Sequence, residues 1–241
     1  MIAKSHTGPP GHRATGPLII TIDGPAGVGK STAARLLAKR LGLVYLDTGA
    51  TYRALAYAAL EQGMDPADAR LLIRLARRLR LALQQSPAGG LGVFLNGDDV
   101  TRKIRTERVS EAAAVVAQHP GVRTELVRLQ RKLADGHRLV AEGRDTGSVV
   151  FPHARYKFFL TATASVRAKR RQRELRSLQG RVPSVAVIAA QLKSRDRLDR
   201  HRAVGPLVKP PRAIVLDTSH LVAKEVVDLM LRRLPVDRSA D

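Results

Sequence analysis

Leu18-Ile19-Ile20-Thr21-Ile22-Asp23-Gly24-Pro25-Ala26-Gly27-Val28-Gly29-Lys30-Ser31-Thr32 joins a β-branched run to a glycine-rich turn and then to a helical pattern. Residues 18–22 have the continuous apolar character of a strand buried on both faces in a parallel sheet, and the run stops at Asp23-Gly24-Pro25. From Lys30 onward, Ala33, Ala34, Leu36, Leu37 and Leu41 recur at helical spacing, and Gly42 supplies the stop. Residues 24–31 satisfy G-x-x-x-x-G-K-[ST] at each position. Glycines in such a loop let backbone N–H groups turn inward around phosphate oxygens, and the helix that follows adds its positive N-terminal dipole. Lys30 then reaches the outer phosphates, and Ser31 is placed to ligate Mg²⁺. A plain tight turn is the competing reading, but the strand before and the helix after are both present. Gly24, Pro25, Ala26, Gly27, Val28, Gly29, Lys30, Ser31 and Thr32 are therefore the expected triphosphate-binding residues.

Outward from this unit, residues 43–46 form a second short apolar run ending at Asp47-Thr48, followed by a helical stretch over 50–62 with an Asp or Thr cap. Further strands are expected at 139–141, 156–160 and 213–216. Five strands alternating with helices predict an α/β fold: an open five-stranded parallel sheet with helices on both faces, its ligands at the carboxyl ends of the strands. Between residues 65 and 136 the pattern changes to a Leu/Arg-rich helix, a Gly-rich break at 87–92, and Val93-Phe94-Leu95 before Asn96-Gly97, a hairpin signal. This block reads as an inserted α+β subdomain, leaving residues 17–64 and 137–241 as the core. Residues 165–203 are basic and helical, broken at 180–183. Residues 1–16 mix Gly, Pro, His and Ser without periodicity and read as a disordered extension.

The 241 residues carry no cysteine, which removes disulfides, thiolate metal sites and a cysteine nucleophile. No run approaches the roughly 18 apolar residues of a membrane span, and residues 1–16 lack the apolar stretch of a secretion signal, so a cytoplasmic location is expected. Lys and Arg number 42 against 21 Asp and Glu, for a net charge of +21. Such a field favours anionic partners, nucleotides or nucleic acid. An aromatic content of 3% argues against nucleic acid, whose single-strand binders use aromatic stacking platforms.

A phosphate loop alone leaves motors, GTPases, translocases and small-molecule kinases open. The acceptor side decides. Leu46-Asp47-Thr48-Gly49-Ala50-Thr51-Tyr52-Arg53 and Glu142-Gly143-Arg144-Asp145-Thr146-Gly147 both fall at strand ends on the edge that carries the loop. Arg53 and Arg144 are placed to clamp a second anion, with Thr48 as a hydroxyl donor. In the segment 195–202, Arg195, Asp199 and Arg202 share a helical face, where Asp199 can orient the arginines or accept from a ribose hydroxyl.

TIDGPAGVGKST, LDTGATYR, NGDDVTRKIRTERVSEAAAVVAQHPGVR, VAEGRDTGSVVFP and RDRLDRHRAVGPL together resemble the bacterial cytidylate kinases, a family of P-loop nucleoside monophosphate kinases, over about residues 17–235. The resemblance implies transfer of the ATP γ-phosphoryl group to CMP or dCMP with Mg²⁺, by a monomer with small-molecule substrates and no required nucleic acid or membrane. It implies that Thr48, Arg53 and Arg144 hold the CMP phosphate, that Arg123 and Asp145 face the cytosine, and that Arg195, Asp199 and Arg202 contact the sugar and adjoining groups. Lys30, Arg144 and Arg195 are then the expected catalytic residues. Residues 65–136 become the monophosphate-binding subdomain, and the basic segment around 170–190, with Arg167, Arg170 and Arg171 at its stem, a short lid over ATP. One position departs from the family pattern: the serine expected against the base is Ala114 here, with Ser110 one turn earlier as its candidate substitute.

Overall fold

The computed structural model describes residues 18–85, 90–178 and 182–234; the expected N-terminal extension and half of each of the two sequence breaks lie outside them. β1 (Ile19–Asp23) leads into α1 (Lys30–Leu41), which ends on Gly42 in the left-handed conformation, its N–H returned to Ala38 O and Lys39 O. β2 (Val44–Asp47) follows, and Asp47 both ends the strand and caps α2 (Thr48–Glu61), accepting from Ala50 N at 2.9 Å. Because the cap is Asp47, α2 begins two residues before the helical composition suggests. β6 (Leu139–Gly143), β7 (Tyr156–Thr161) and β8 (Ile214–Asp217) complete a parallel sheet of order β2-β6-β1-β7-β8. All residues of β6 and all but the first of β1 are buried. Successive side chains of a strand point to opposite faces, so both faces of the sheet centre must be covered. α1 packs there with α8 (Ala223–Leu231), and α2 packs against β6.

Residues 65–136 carry α3 (Ala69–Arg78), a small antiparallel sheet of order β3-β4-β5 (Leu81–Gln85, Leu91–Leu95, Asp98–Asp99), α4 (Glu107–Val116) and α5 (Pro120–Ala134). Asn96 (φ 54°) and Gly97 (φ 101°) turn β4 into β5, both with the positive φ that a two-residue type I′ hairpin demands. The buried side chains of this segment, among them Leu72, Leu83, Val93 and Val109, join one continuous core with Ile20, Ile22 and Leu139 of the large sheet. α6 (Ala164–Leu178) and α7 (Val185–His201) instead form an antiparallel pair around a smaller apolar cluster of Ala168, Leu175, Ile188 and Leu192, which reaches the phosphate loop through Ala26. Ser184 opens α7 by accepting from Val187 N at 3.3 Å.

The parallel register brings the strand ends together. Asp23 is opposite Gly143, and Asp47 is opposite Glu142, so the residues that follow β1, β2 and β6 emerge on one edge. β1 lies between β6 and β7, so chains leave it in both directions, which opens a crevice there.

Candidate active site

The loop between β1 and α1 is built around backbone that only glycine adopts comfortably. Gly24 has φ +148°, and a Cβ there would run into Leu160 O; Gly27 (φ +79°) lies against the backbone of Arg167. α1 begins at Gly29 with no side-chain cap and no acidic residue in its first turn, whereas α2, α3, α4 and α7 are capped by Asp47, Asp68, Thr106 and Ser184. The first amides of α1 and its positive dipole are thus left for an anion. Lys30 is buried, its Nζ donating to Pro25 O at 2.8 Å. Burial, together with the charge of Arg144, lowers its pKa to about 7 against the pull of Glu142. Ser31 Oγ donates to Glu142 Oε1 at 2.6 Å, and the Tyr45 hydroxyl donates to the same oxygen at 3.3 Å.

A cleft of about 180 Å³ opens over this loop. Of the expected residues, Ala26, Gly27, Lys30, Ser31, Thr48, Arg53, Arg144, Asp145, Arg195, Asp199 and Arg202 line it. Gly24, Pro25, Val28, Gly29, Thr32 and Arg123 do not. Arg53, Arg144 and Arg202, in the wall opposite the loop, each lie against a carboxylate. Arg53 Nη2 donates to Asp47 at 2.7 Å, and Arg144 Nε donates to Asp199 at 2.9 Å, with Arg202 3.7 Å from the same carboxylate. Burial opposes ionisation of Asp199, but Arg144 and Arg202 outweigh it and hold the carboxyl below its usual range. Among the described residues Arg195 has no such partner: burial and the nearby Arg144 guanidinium push its pKa down to about 10. Arg53 Nε, Arg195 Nε and two nitrogens of Arg202 are buried donors without a protein acceptor among the described residues. Unpaired buried donors are costly, and an anion in the cleft would satisfy them.

Arg123 is placed differently from the other expected residues. It is 1% exposed, behind the cleft wall, ion-paired to Asp145 through Nη2 and lying 5.4 Å from the Tyr52 ring centroid. Asp145 alone of that pair reaches the cleft surface. Ser110 and Ala114 both line the cleft, and Ser110 Oγ donates to Thr106 O at 2.9 Å within its own helix.

The three arginines of α6 expected at the stem of a lid separate. Arg167 pairs with Asp196 across the α6–α7 interface at 2.6 Å, and Arg170 is spent on Val28 O, Thr218 and Leu221 O behind the phosphate loop. Arg171 lines the cleft, paired with Glu174 at 2.9 Å. Glu142, Tyr52 and Arg105 are cleft residues that composition and spacing do not single out as functional. Only the strand-end position of Glu142, directly before Gly143-Arg144, signals its place.

A buried phosphate loop, an uncapped helix N-terminus and a facing wall of carboxylate-oriented arginines, all at the carboxyl edge of a five-stranded parallel sheet, define a P-loop phosphotransferase. The family model for cytidylate kinase matches residues 20–235, and the chain belongs to that family. A cytidylate kinase of Pelotomaculum thermopropionicum is 47% identical over 219 residues, covering 91% of this chain and 96% of the relative. One of Symbiobacterium thermophilum is 45% identical over 215 residues, covering 89% and 95%. Among solved structures, a gluconokinase of Sinorhizobium meliloti 1021 overlays with a TM-score of 0.41 at 15% identity, covering 90% of each chain.

Proposed function

We propose that the chain transfers the γ-phosphoryl group of ATP directly to the phosphate of CMP or dCMP, giving ADP and the diphosphate. The observation that carries this reading is that Lys30 of the phosphate loop lines the same cleft as Arg53, Arg144, Arg195 and Arg202. Phosphoryl transfer needs positioning and neutralisation of charge more than a general base, and this wall supplies cations held in fixed directions. In this reading Gly24 to Thr32 cradle the triphosphate, with Lys30 on its outer oxygens. Thr48, Arg53 and Arg144 hold the acceptor phosphate, and Arg195, Asp199 and Arg202 take the sugar side. Arg171 closes over ATP from the lid.

No group of three His, Cys, Asp or Glu side chains suited to a metal occurs among the described residues. The Ser31 hydroxyl beside the Glu142 carboxylate is a hard oxygen pair, and it fits a Mg²⁺ that takes most of its ligands from phosphate and water. Ser31 would bind the ion, with Glu142 aligning the hydroxyl. Bound there, Mg²⁺ would neutralise charge on the triphosphate.

For the base, the Asp145 carboxylate at the cleft surface matches the cytosine amine, while Arg123 fixes Asp145 from behind. Uracil would set a carbonyl oxygen against that carboxylate and leave a buried acceptor unpaired, a penalty above about 1 kcal/mol. Residues 65–136 supply Ser110 and Ala114 on the base side and serve as the monophosphate-binding segment. No helix among the described residues is long and apolar enough to cross a membrane. The reading places the protein in the cytoplasm as a monomer acting on small molecules, with no required nucleic acid.

The test is ADP formation with Mg-ATP and each of CMP, dCMP, UMP, AMP and shikimate. CMP and dCMP should stimulate it strongly; stimulation by neither rejects the reading. Asp145→Asn should lower the CMP-to-UMP ratio of kcat/KM by about tenfold. It should also lower Tm, because Arg123 is left buried beside a neutral amide. A ratio unchanged in the folded variant removes Asp145 from base reading.

A further inference from the structure

Asp23 is the last residue of β1 and directly precedes Gly24, yet it does not line the cleft. Its side chain is fully buried, and its two carboxylate oxygens accept from two consecutive backbone amides, Thr146 N and Gly147 N, each at 2.7 Å. Those amides open a single π-helical turn, Thr146–Val150, which begins as soon as the chain has passed Arg144 and Asp145. The last rung between β1 and β6 is Asp23 opposite Gly143, so from Arg144 onward the parallel ladder no longer holds the chain to β1. Gly147 allows the turn to lie flat on the strand: a Cβ there would meet Thr21 Oγ1 and Asp23 Oδ2.

We infer that Asp23 is a positioning residue, a latch that fixes the turn following Arg144 and Asp145, and with it those two residues, in register with the phosphate loop that starts one residue after Asp23. Burying a carboxylate is expensive unless its oxygens are paired, and here each oxygen accepts from a backbone amide of one short turn. Burial pushes the carboxyl up to about 6, against the lowering effect of those two amides, so at neutral pH both oxygens remain acceptors. The phosphate loop has separate supports. Val28 O accepts from Thr218 Oγ1 at 2.9 Å, and Gly24 packs on Leu160. Loss of the latch therefore moves the acceptor clamp relative to a loop that stays in place. In-line transfer is sensitive to displacements of that kind, because the attacking acceptor oxygen must lie opposite the leaving oxygen across the γ-phosphorus, and a misplacement of about 1 Å can cost about 10²-fold.

The assignment rests on the reading of Arg144 and Asp145 as acceptor-side residues. Its test uses the full chain and two variants that disturb the latch from opposite sides. Asp23→Asn sets an amide NH₂ against a backbone N–H, and Gly147→Ala pushes the turn off the strand while leaving the carboxylate intact. Hydrogen exchange at the Thr146 and Gly147 amides should quicken at least about tenfold in both, and kcat/KM for CMP should fall at least about tenfold while KM for ATP stays within about twofold. Tm is measured alongside to establish that the variants are folded. Unchanged amide protection, or a rise in KM for ATP as large as the fall in kcat/KM for CMP, in either folded variant overturns the latch. A wild-type protein without CMP-dependent activity instead rejects the acceptor reading, and the exchange measurement still tests the latch.

Discussion

Lys30→Ala is expected to lower kcat by about 10³-fold or more while the protein stays folded, measured by CMP-dependent ADP release and by thermal unfolding. Among the described residues Lys30 is the only ammonium in the cleft lining, and its side chain is buried at the start of α1. A buried cation beside Arg144 and Arg195 is a burden on the fold, as its pKa of about 7 shows. The unfolded chain holds that proton up to about 10.5, so between about pH 7 and 10.5 the unfolded state binds more protons than the folded one. The penalty is present in full below about 7 and is relieved as pH rises through that window. Lys30→Met should therefore be more stable than the wild type, with the largest difference at or below pH 7 and a smaller one toward pH 10. A difference in Tm that does not shrink with rising pH contradicts this account.

Arg144→Lys should lower kcat/KM for CMP by about 10²- to 10³-fold, or about 3 to 4 kcal/mol of transition-state stabilisation, with KM for ATP little changed. Lysine keeps the charge but not the planar fork. It cannot keep the Nε bond to Asp199 at 2.9 Å while also directing two donors into the cleft. Asp199 would be left with Arg202 at 3.7 Å, so the sugar-side wall loosens as well. Steady-state kinetics with each substrate varied in turn separates this outcome from a general loss of folding, which would lower apparent kcat and leave both KM values unchanged.

The elements that depend on near neighbours in the chain were legible before any fold was seen. The β-branched run before Asp23, the periodicity of α1 and its Gly42 stop, and the Asn96-Gly97 hairpin all follow from local backbone preferences. The motif residues also came to one edge as expected, because parallel strands align their carboxyl ends. The roles within that edge were not legible. Arg123 and Asp145 read as two base-facing groups, and only packing shows that one lies behind the other. Arg167, Arg170 and Arg171 are near-identical in sequence context, yet they support α7, the phosphate loop and the cleft respectively.

By itself, then, the sequence determined that a triphosphate loop begins α1, that a parallel sheet presents it, and that anionic partners suit the chain. Those properties reside in spacing, propensity and composition. The tertiary structure alone decided which cations are free to meet a substrate and which are committed to carboxylates or carbonyls. It also decided that Ser31 answers to Glu142, Arg144 to Asp199, and the acceptor turn to Asp23, across 111, 55 and 123 residues of chain. Pairings over such separations are set by sheet register and burial, where an unpaired charge is costly, and local sequence carries no record of them.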